Sequence, residues 1–173
     1  LTAKNAPEAA KLAARVVGLL PANNLAGPAV FDFAAPAKAL NLSKYDPADA
    51  VAALADADST VELYAGYGKA VYTALATVNG AAVGVVATAK RAINHHATAK
   101  AARFIRLCDA YSIPVVTVVN TDGFVRSEGD DMAGGIRQAA RLAGVYAEAT
   151  TVFVAVLAGV RYGPIYTDFA ASA

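Results

Sequence analysis

The chain is 173 residues long, 57% hydrophobic and 17% charged, with Lys+Arg 15 against Asp+Glu 14 and a formal net charge of +1. That length suits one domain, or half of a larger enzyme. It would bury roughly 70% of the unfolded chain's surface, while the near-zero charge gives no basic face for a nucleic-acid partner and the apolar content excludes disorder.

The longest apolar stretch, Val152 to Val160, is about half of the roughly 20 residues that span a bilayer, so no membrane insertion is expected. About a quarter of the residues are alanine, which points to close backbone approach more than to a large apolar core. Cys108 is the only cysteine, which excludes an internal disulfide and a multi-cysteine metal site. The opening residues carry no secretion signal, and a cytoplasmic location is expected. Leu1 in place of Met reads as processing, a trimmed chain or a fragment.

Pro7 to Leu20 has the period of an amphipathic helix, with Pro7 near its start and Pro21 beyond its end. Ala22 to Tyr45 is a long irregular passage, of a length that usually wraps a neighbouring domain or subunit. A short helix is expected after Asp46, which can cap it, with Pro47 at the first helical position and Asp49 in the first turn. Strands are predicted over Ser59 to Tyr64, Ala70 to Val78 and Ala81 to Thr88, the last two joined by the hairpin pair Asn79-Gly80. Thr98 to Tyr111 reads as a helix, Ile113 to Val119 as a buried strand and Gly123 to Ala133 as a loop. Gly134 to Ala149 reads as a helix, Thr151 to Leu157 as a second buried strand, Gly159 to Pro164 as a loop, and a last helix is expected from Ile165. Alternating strand–helix units imply an α/β fold with parallel pairing. No internal repeat is present.

Gly66-Tyr67-Gly68 follows a strand, but Val71 stands where a dinucleotide fingerprint needs its third glycine and a hairpin follows; a turn is expected. His95-His96 could ligate a metal or act as base. Adjacent histidines point apart and no carboxylate lies at a ligand spacing, so a solvated loop is expected. Asp122, Glu128, Asp130 and Asp131 form an acidic loop that suits either a hard cation or the capping of the helix from Gly134. Lys100, Arg103 and Arg106 read either as a phosphate-binding edge or, as is commoner, a solvated helix face. Cys108 lies among Ile105, Phe104 and Leu107, which favours core packing over a nucleophile. Both buried strands run into loops that lead to helices, and backbone amides at such turns can hold an oxyanion.

Lys100-Ala101-Ala102-Arg103-Phe104-Ile105-Arg106-Leu107-Cys108-Asp109-Ala110-Tyr111-Ser112-Ile113-Pro114 resembles the K-A-A-R-F-I-R-x-C-D-A-x-x-I-P run of biotin-dependent acyl-CoA carboxyltransferases. That family includes the β subunits of propionyl-CoA and related carboxylases and the carboxyltransferase subunits of glutaconyl-CoA and methylmalonyl-CoA decarboxylases. Leu20-Pro21-Ala22-Asn23-Asn24 resembles its L-P-x-N-N, Tyr45-Asp46 and Glu62-Leu63 its Y-D…E-L, and Asn79-Gly80 to Val86 its N-G-x-x-V-G-I-V hairpin. Gly134-Gly135-Ile136-Arg137 and Tyr146-Ala147-Glu148-Ala149-Thr150 are similar to G-G-I-I-R and Y-A-E-A-T, so the resemblance covers nearly the whole chain.

The resemblance implies a crotonase-like (ClpP/crotonase superfamily) fold of β-β-α units, incomplete relative to the family. Residues 1–45 would be the N-terminal helix and linker, and 46–173 a truncated C-terminal-half domain. It implies a site between the N half of one subunit, which holds the acyl-CoA, and the C half of another, which receives carboxybiotin from a separate carrier domain. Backbone N–H groups there stabilise the ureido and enolate oxygens, with no metal. In the family the amides of the second glycine and the alanine of R-K-A-Y-G-G-A-Y face biotin. The corresponding turn here is Gly163, Pro164 and Ile165, followed by Tyr166, and proline has no N–H. Gly123, Phe124, Gly134 and Gly135 are the other positions assigned to cofactor binding, with Tyr166. The family's V-D-x-P-G-F-L-P-G becomes Val119 to Ser127 here, without its prolines and second glycine. The expected function is the biotin-facing half of a carboxyltransferase, in a carboxylase or a biotin-dependent decarboxylase, working as a homo-oligomer or with a separate CoA-binding half. The alternative is a non-catalytic structural or assembly subunit.

Overall fold

The structure, a computed structural model, describes residues 1–159. It opens with α1 (Ala6–Leu19), where Asn5 accepts the Glu8 N–H at 2.9 Å and Pro7 occupies the first turn. A 3-10 turn at Leu42–Lys44 precedes α2 (Pro47–Leu54), and Asp46 caps α2 by accepting the Ala48 N–H at 2.8 Å. Between these helices the chain lies against the tip of its own hairpin, with the Phe31 N–H donating to Gly80 O at 2.7 Å and the Ala82 N–H to Ala29 O at 2.8 Å.

Among the described residues five strands form one sheet: β1 (Val61–Glu62), β2 (Val71–Val78), β3 (Ala81–Thr88), β4 (Val115–Val119) and β5 (Phe153–Leu157), ordered β1-β2-β3-β4-β5. The first three pair antiparallel, while β3–β4 and β4–β5 pair parallel. Asn79 and Gly80 adopt φ of 50° and 79°, the left-handed backbone that a two-residue hairpin turn needs. β1 is shorter than the spacing predicts, because the chain leaves the sheet at Tyr64, which itself sits at φ 60°.

Three further helices follow: α3 (His95–Ala110), α4 (Glu128–Met132) and α5 (Gly135–Glu148). α3 and α5, the helices of the β3–α3–β4 and β4–α5–β5 connections, cover one face of the central strands and α2 covers the other, so β3 and β4 are apolar on both faces. On β3, Val83, Val85 and Ala87 pack toward Val51 and Ala55 around α2, while Ala82 and Val86 join Phe104, Ile105 and Cys108 of α3. Gly84 lies under α3: a Cβ there would stand 2.5 Å from Cys108 Sγ and 3.2 Å from a Phe104 ring carbon. Only glycine admits the helix so close. Tyr146 ties α5 to the sheet through Thr117 Oγ1 at 2.8 Å and a ring contact with Phe153.

Two boundaries differ from the pattern in the sequence. His95 and His96 stand in the first turn of α3 and not in a preceding loop. Asn94 accepts the Ala97 N–H at 3.0 Å, and the remote Asp130 accepts that of His95 at 3.3 Å. The passage from Gly123 to Ala133 holds α4, started by Ser127 Oγ accepting the Asp130 N–H at 3.2 Å. The turn and final helix expected beyond Gly159 lie outside the described residues.

Candidate functional site

In sheets with parallel strands, ligands bind beyond the carboxyl ends of those strands. Here the segments leaving β3 and β4 are laced together. The Asn120 N–H donates to Thr88 Oγ1 at 2.8 Å and Thr121 Oγ1 to Arg91 O at 2.9 Å. The Ile93 N–H donates to Gly123 O at 2.8 Å, and the Val125 N–H to Ile93 O at 2.9 Å. Gly123 makes the turn at φ 106°, a conformation open to glycine and strained for other residues.

Above this lacing is a cavity of about 670 Å³ lined by Ile93, Phe124, Gly135 and Ile136, together with His95 and Asp130. Ile93 is fully buried, so one wall is apolar and fixed. α5 begins at the cavity after Gly134, at φ 95°, and no side chain caps it. Gly134 offers its first amides no side-chain acceptor, and these mark the positive end of a 14-residue helix, with the Asp130 carboxylate beside Gly135. Such an edge can hold developing negative charge on an oxygen.

Asp130 organises the entrance. Its Oδ1 lies 2.5 Å from His95 Nδ1, and a Cβ on Gly135 would stand 2.6 Å from its Oδ2. The His95 and His96 rings touch at a tilt of 48°, centroids 3.9 Å apart, and His96 Nδ1 meets Tyr67 Oη at 2.9 Å. His95 thus departs from the solvated-loop expectation: it is part-buried in α3 and paired with a carboxylate remote in sequence. The acidic residues do not assemble into a cation site: among the described residues no group of three or more His, Cys, Asp or Glu could hold a metal.

Of the residues singled out by sequence, Phe124 and Gly135 share this cavity, and Gly123 and Gly134 supply the left-handed backbone beside them. Gly163, Pro164, Ile165 and Tyr166 lie outside the described residues. Asn120 gains a role that the sequence does not signal. It is 3% exposed, its Oδ1 has no partner among the described residues, and it fills the space that a Cβ on Gly159 would take. Cys108 is buried in the core, and burial, then Asp109, pushes its thiol up to about 12. Lys100 departs from the solvated-face reading: Arg103 and Arg106 are exposed, yet Lys100 is 2% exposed.

Compared with known protein families, residues 1–167 match the carboxyl transferase domain. The chain is 36% identical over 126 residues to the propionyl-CoA carboxylase beta chain of Saccharopolyspora erythraea, covering 70% of this chain and 23% of that one. It is 35% identical over 126 residues to the methylmalonyl-CoA carboxyltransferase 12S subunit of Propionibacterium freudenreichii, covering 70% and 24%. A crystal structure of transcarboxylase 12S, a hexamer with hydrolysed methylmalonyl-coenzyme A bound, superposes with a TM-score of 0.84 at 29% identity over 97% of this chain and 36% of that one. The chain thus spans about a quarter of the length of these curated relatives.

Proposed function

This chain belongs to the carboxyl transferase domain family, and on that premise we propose that it is the biotin-facing half of an acyl-CoA carboxyltransferase. It works on a short-chain acyl-CoA whose coenzyme is held by a separate half. Residues 1–45 act as helix and linker, and 46–173 form the carboxyltransferase-like domain. The cytoplasm is the proposed location, and a homo-oligomer or a complex with the CoA-binding half and a biotin carrier is the proposed assembly. No helix among the described residues is long and apolar enough to cross a membrane.

The observation that carries this reading is the cavity of about 670 Å³ at the ends of the parallel strands, with an apolar wall on one side and an uncapped helix start on the other. A bicyclic ureido ring of mixed polarity fits those walls: Phe124 and Ile136 offer apolar surface backed by the buried Ile93, and the α5 amides offer donors. Biotin, when bound, carries the carboxyl group between substrates. Ile93 and Phe124 keep water from that side of the cavity, the α5 start stabilises negative charge on oxygen, and the His95–Asp130 pair holds α3 and α4 in register around it.

The second reading, a non-catalytic subunit that keeps the fold, is favoured by Pro164, which removes a backbone donor from the turn where the family presents two. Purified chain, alone and mixed with a CoA-binding half and a biotinylated carrier, is assayed for decarboxylation of malonyl- or methylmalonyl-CoA. Turnover by the mixture and none by the lone chain supports the half-site. Assembly of the mixture without turnover supports the structural role instead.

A further inference from the structure

A second cavity, of about 740 Å³, lies between the start of α1, the turn after β1 and the outer sides of α3 and α5, and is lined by Glu8, Glu62, Tyr64, Lys100, Arg103 and Arg141 among others. Lys100 is the anomaly there. Its residue is 2% exposed, and the ion pairs among the described residues are Lys38–Asp49 and His95–Asp130, neither of which involves it. Burial pulls its ammonium below the usual lysine range, with the Glu62 charge opposing. An ammonium at a cavity wall, on a side chain otherwise buried and without an ion pair, is unfavourable unless something brings the opposite charge.

The surroundings supply it only in part: Glu62 lines the same cavity and its charge acts on Lys100, but no ion pair joins the two. Glu8 is engaged at the start of α1, where its Oε2 accepts the Lys4 N–H at 2.7 Å. Arg103 and Arg141, both exposed, add charge to the same cavity and have no ion pair among the described residues. The wall opposite is the turn through Tyr64, an aromatic residue held at φ 60°. A large side chain in that region is an outlier of the kind that gathers at ligand sites.

We propose that this cavity is a binding site for a phosphate monoester, with Lys100 as its buried cation and Arg103 and Arg141 as its outer ones. The volume is that of a small-molecule pocket and exceeds what a bare phosphate fills. Tyr64 and Tyr67 give the organic part an aromatic wall. With Glu8 and Glu62 on the same walls the three cations still leave an excess of positive charge, which a phosphate answers, and the forked guanidinium groups suit its oxygens. The inference does not depend on carboxyl transfer, and neither result of the assay above bears on it.

Isothermal titration of the chain with adenosine 5′-monophosphate, ribose 5-phosphate and adenosine tests it. Saturable binding of the monophosphate, at least tenfold tighter than adenosine, is expected. Comparable binding of ribose 5-phosphate identifies a sugar-phosphate ligand, and much weaker binding a nucleotide. Lys100→Met should weaken the monophosphate at least tenfold while leaving the thermal unfolding midpoint level or raised, because it removes a buried charge. Should that variant not fold, the double change Arg103→Gln with Arg141→Gln at exposed positions decides: a tenfold loss upholds the site. Equal binding of monophosphate and adenosine, no saturable binding, or unchanged affinity in the folded variants overturns it.

Discussion

His95 Nδ1 lies 2.5 Å from Asp130 Oδ1, joining the first turn of α3 to α4 across 35 positions of sequence. The same carboxylate oxygen accepts the His95 N–H at 3.3 Å, so Asp130 serves as an external cap for a helix to which it does not belong. Gly135 leaves the room for this, since a Cβ there would press to 2.6 Å from the other carboxylate oxygen. The two cavities are linked along this line, because Tyr67 and Asp130 stand at its ends and one lines each.

Asp130→Ala should therefore cost about 1–2 kcal/mol of stability, the range for losing a helix cap. Asp130→Asn should recover much of it. Gly135→Ala should cost a similar amount by displacing the carboxylate, and the double variant Gly135→Ala with Asp130→Ala should cost less than the sum. Urea denaturation of the four proteins measures the coupling, and strict additivity would refute the arrangement.

At Gly84 the expected change is overpacking. Gly84→Ala places a methyl against Cys108 Sγ and the Phe104 ring, and should destabilise by about 1–3 kcal/mol. Cys108→Ala in that background removes the closest contact and should return part of the loss, although Cys108→Ala alone is destabilising. Denaturation midpoints of both single variants and the pair report the sign of the interaction.

Asp56 makes stability depend on acidity. Burial pushes its carboxyl up, but hydrogen bonds from Thr77 Oγ1 at 2.7 Å, Gly80 N–H at 2.8 Å and Asn79 N–H at 3.0 Å more than offset this and leave it below the usual carboxylate range. A lowered folded-state value means stability that is complete above the unfolded value, near 3.9, and is lost as pH falls through the folded one. Asp56→Ala should cost roughly 1–3 kcal/mol at pH 7, and the gap from the parent should narrow by pH 3. A gap that widens in acid would contradict the assignment.

Pro164→Gly tests the catalytic reading from sequence alone. It returns an N–H to the turn aligned with the family's biotin-facing amides. With a complementary CoA-binding half present, turnover should rise tenfold or more, the scale of a recovered oxyanion donor. A flat response, repeated in the double change with Ile165→Ala, would favour the non-catalytic subunit.

The elements legible in the sequence are those set by near neighbours. Asp46-Pro47 starts α2 and Asn79-Gly80 turns the hairpin because each signal acts within a few residues. Phe124 and Gly135 stand in family motifs far apart in sequence, and both line the same cavity. The His95–Asp130 pair is not legible, since its partners meet only once β4 has paired and α4 has formed. Lys100 misleads for a geometric reason. Six residues advance about 600° around a helix, which leaves Arg106 about 120° from Lys100, and the run of three cations is not one face. The aromatic at Tyr64 breaks its strand against propensity, which is the kind of local conflict that accompanies strain in the fold.

The order β1-β2-β3-β4-β5 has a consequence for synthesis. A chain leaving the ribosome amino end first always finds, for each new strand, the edge exposed by the strand before it, and no strand must be inserted between two already paired. Among the described strands, growth therefore proceeds from the hairpin toward β5 like an unrolling mat, and the margins open to mispairing are the advancing one and the β1 side.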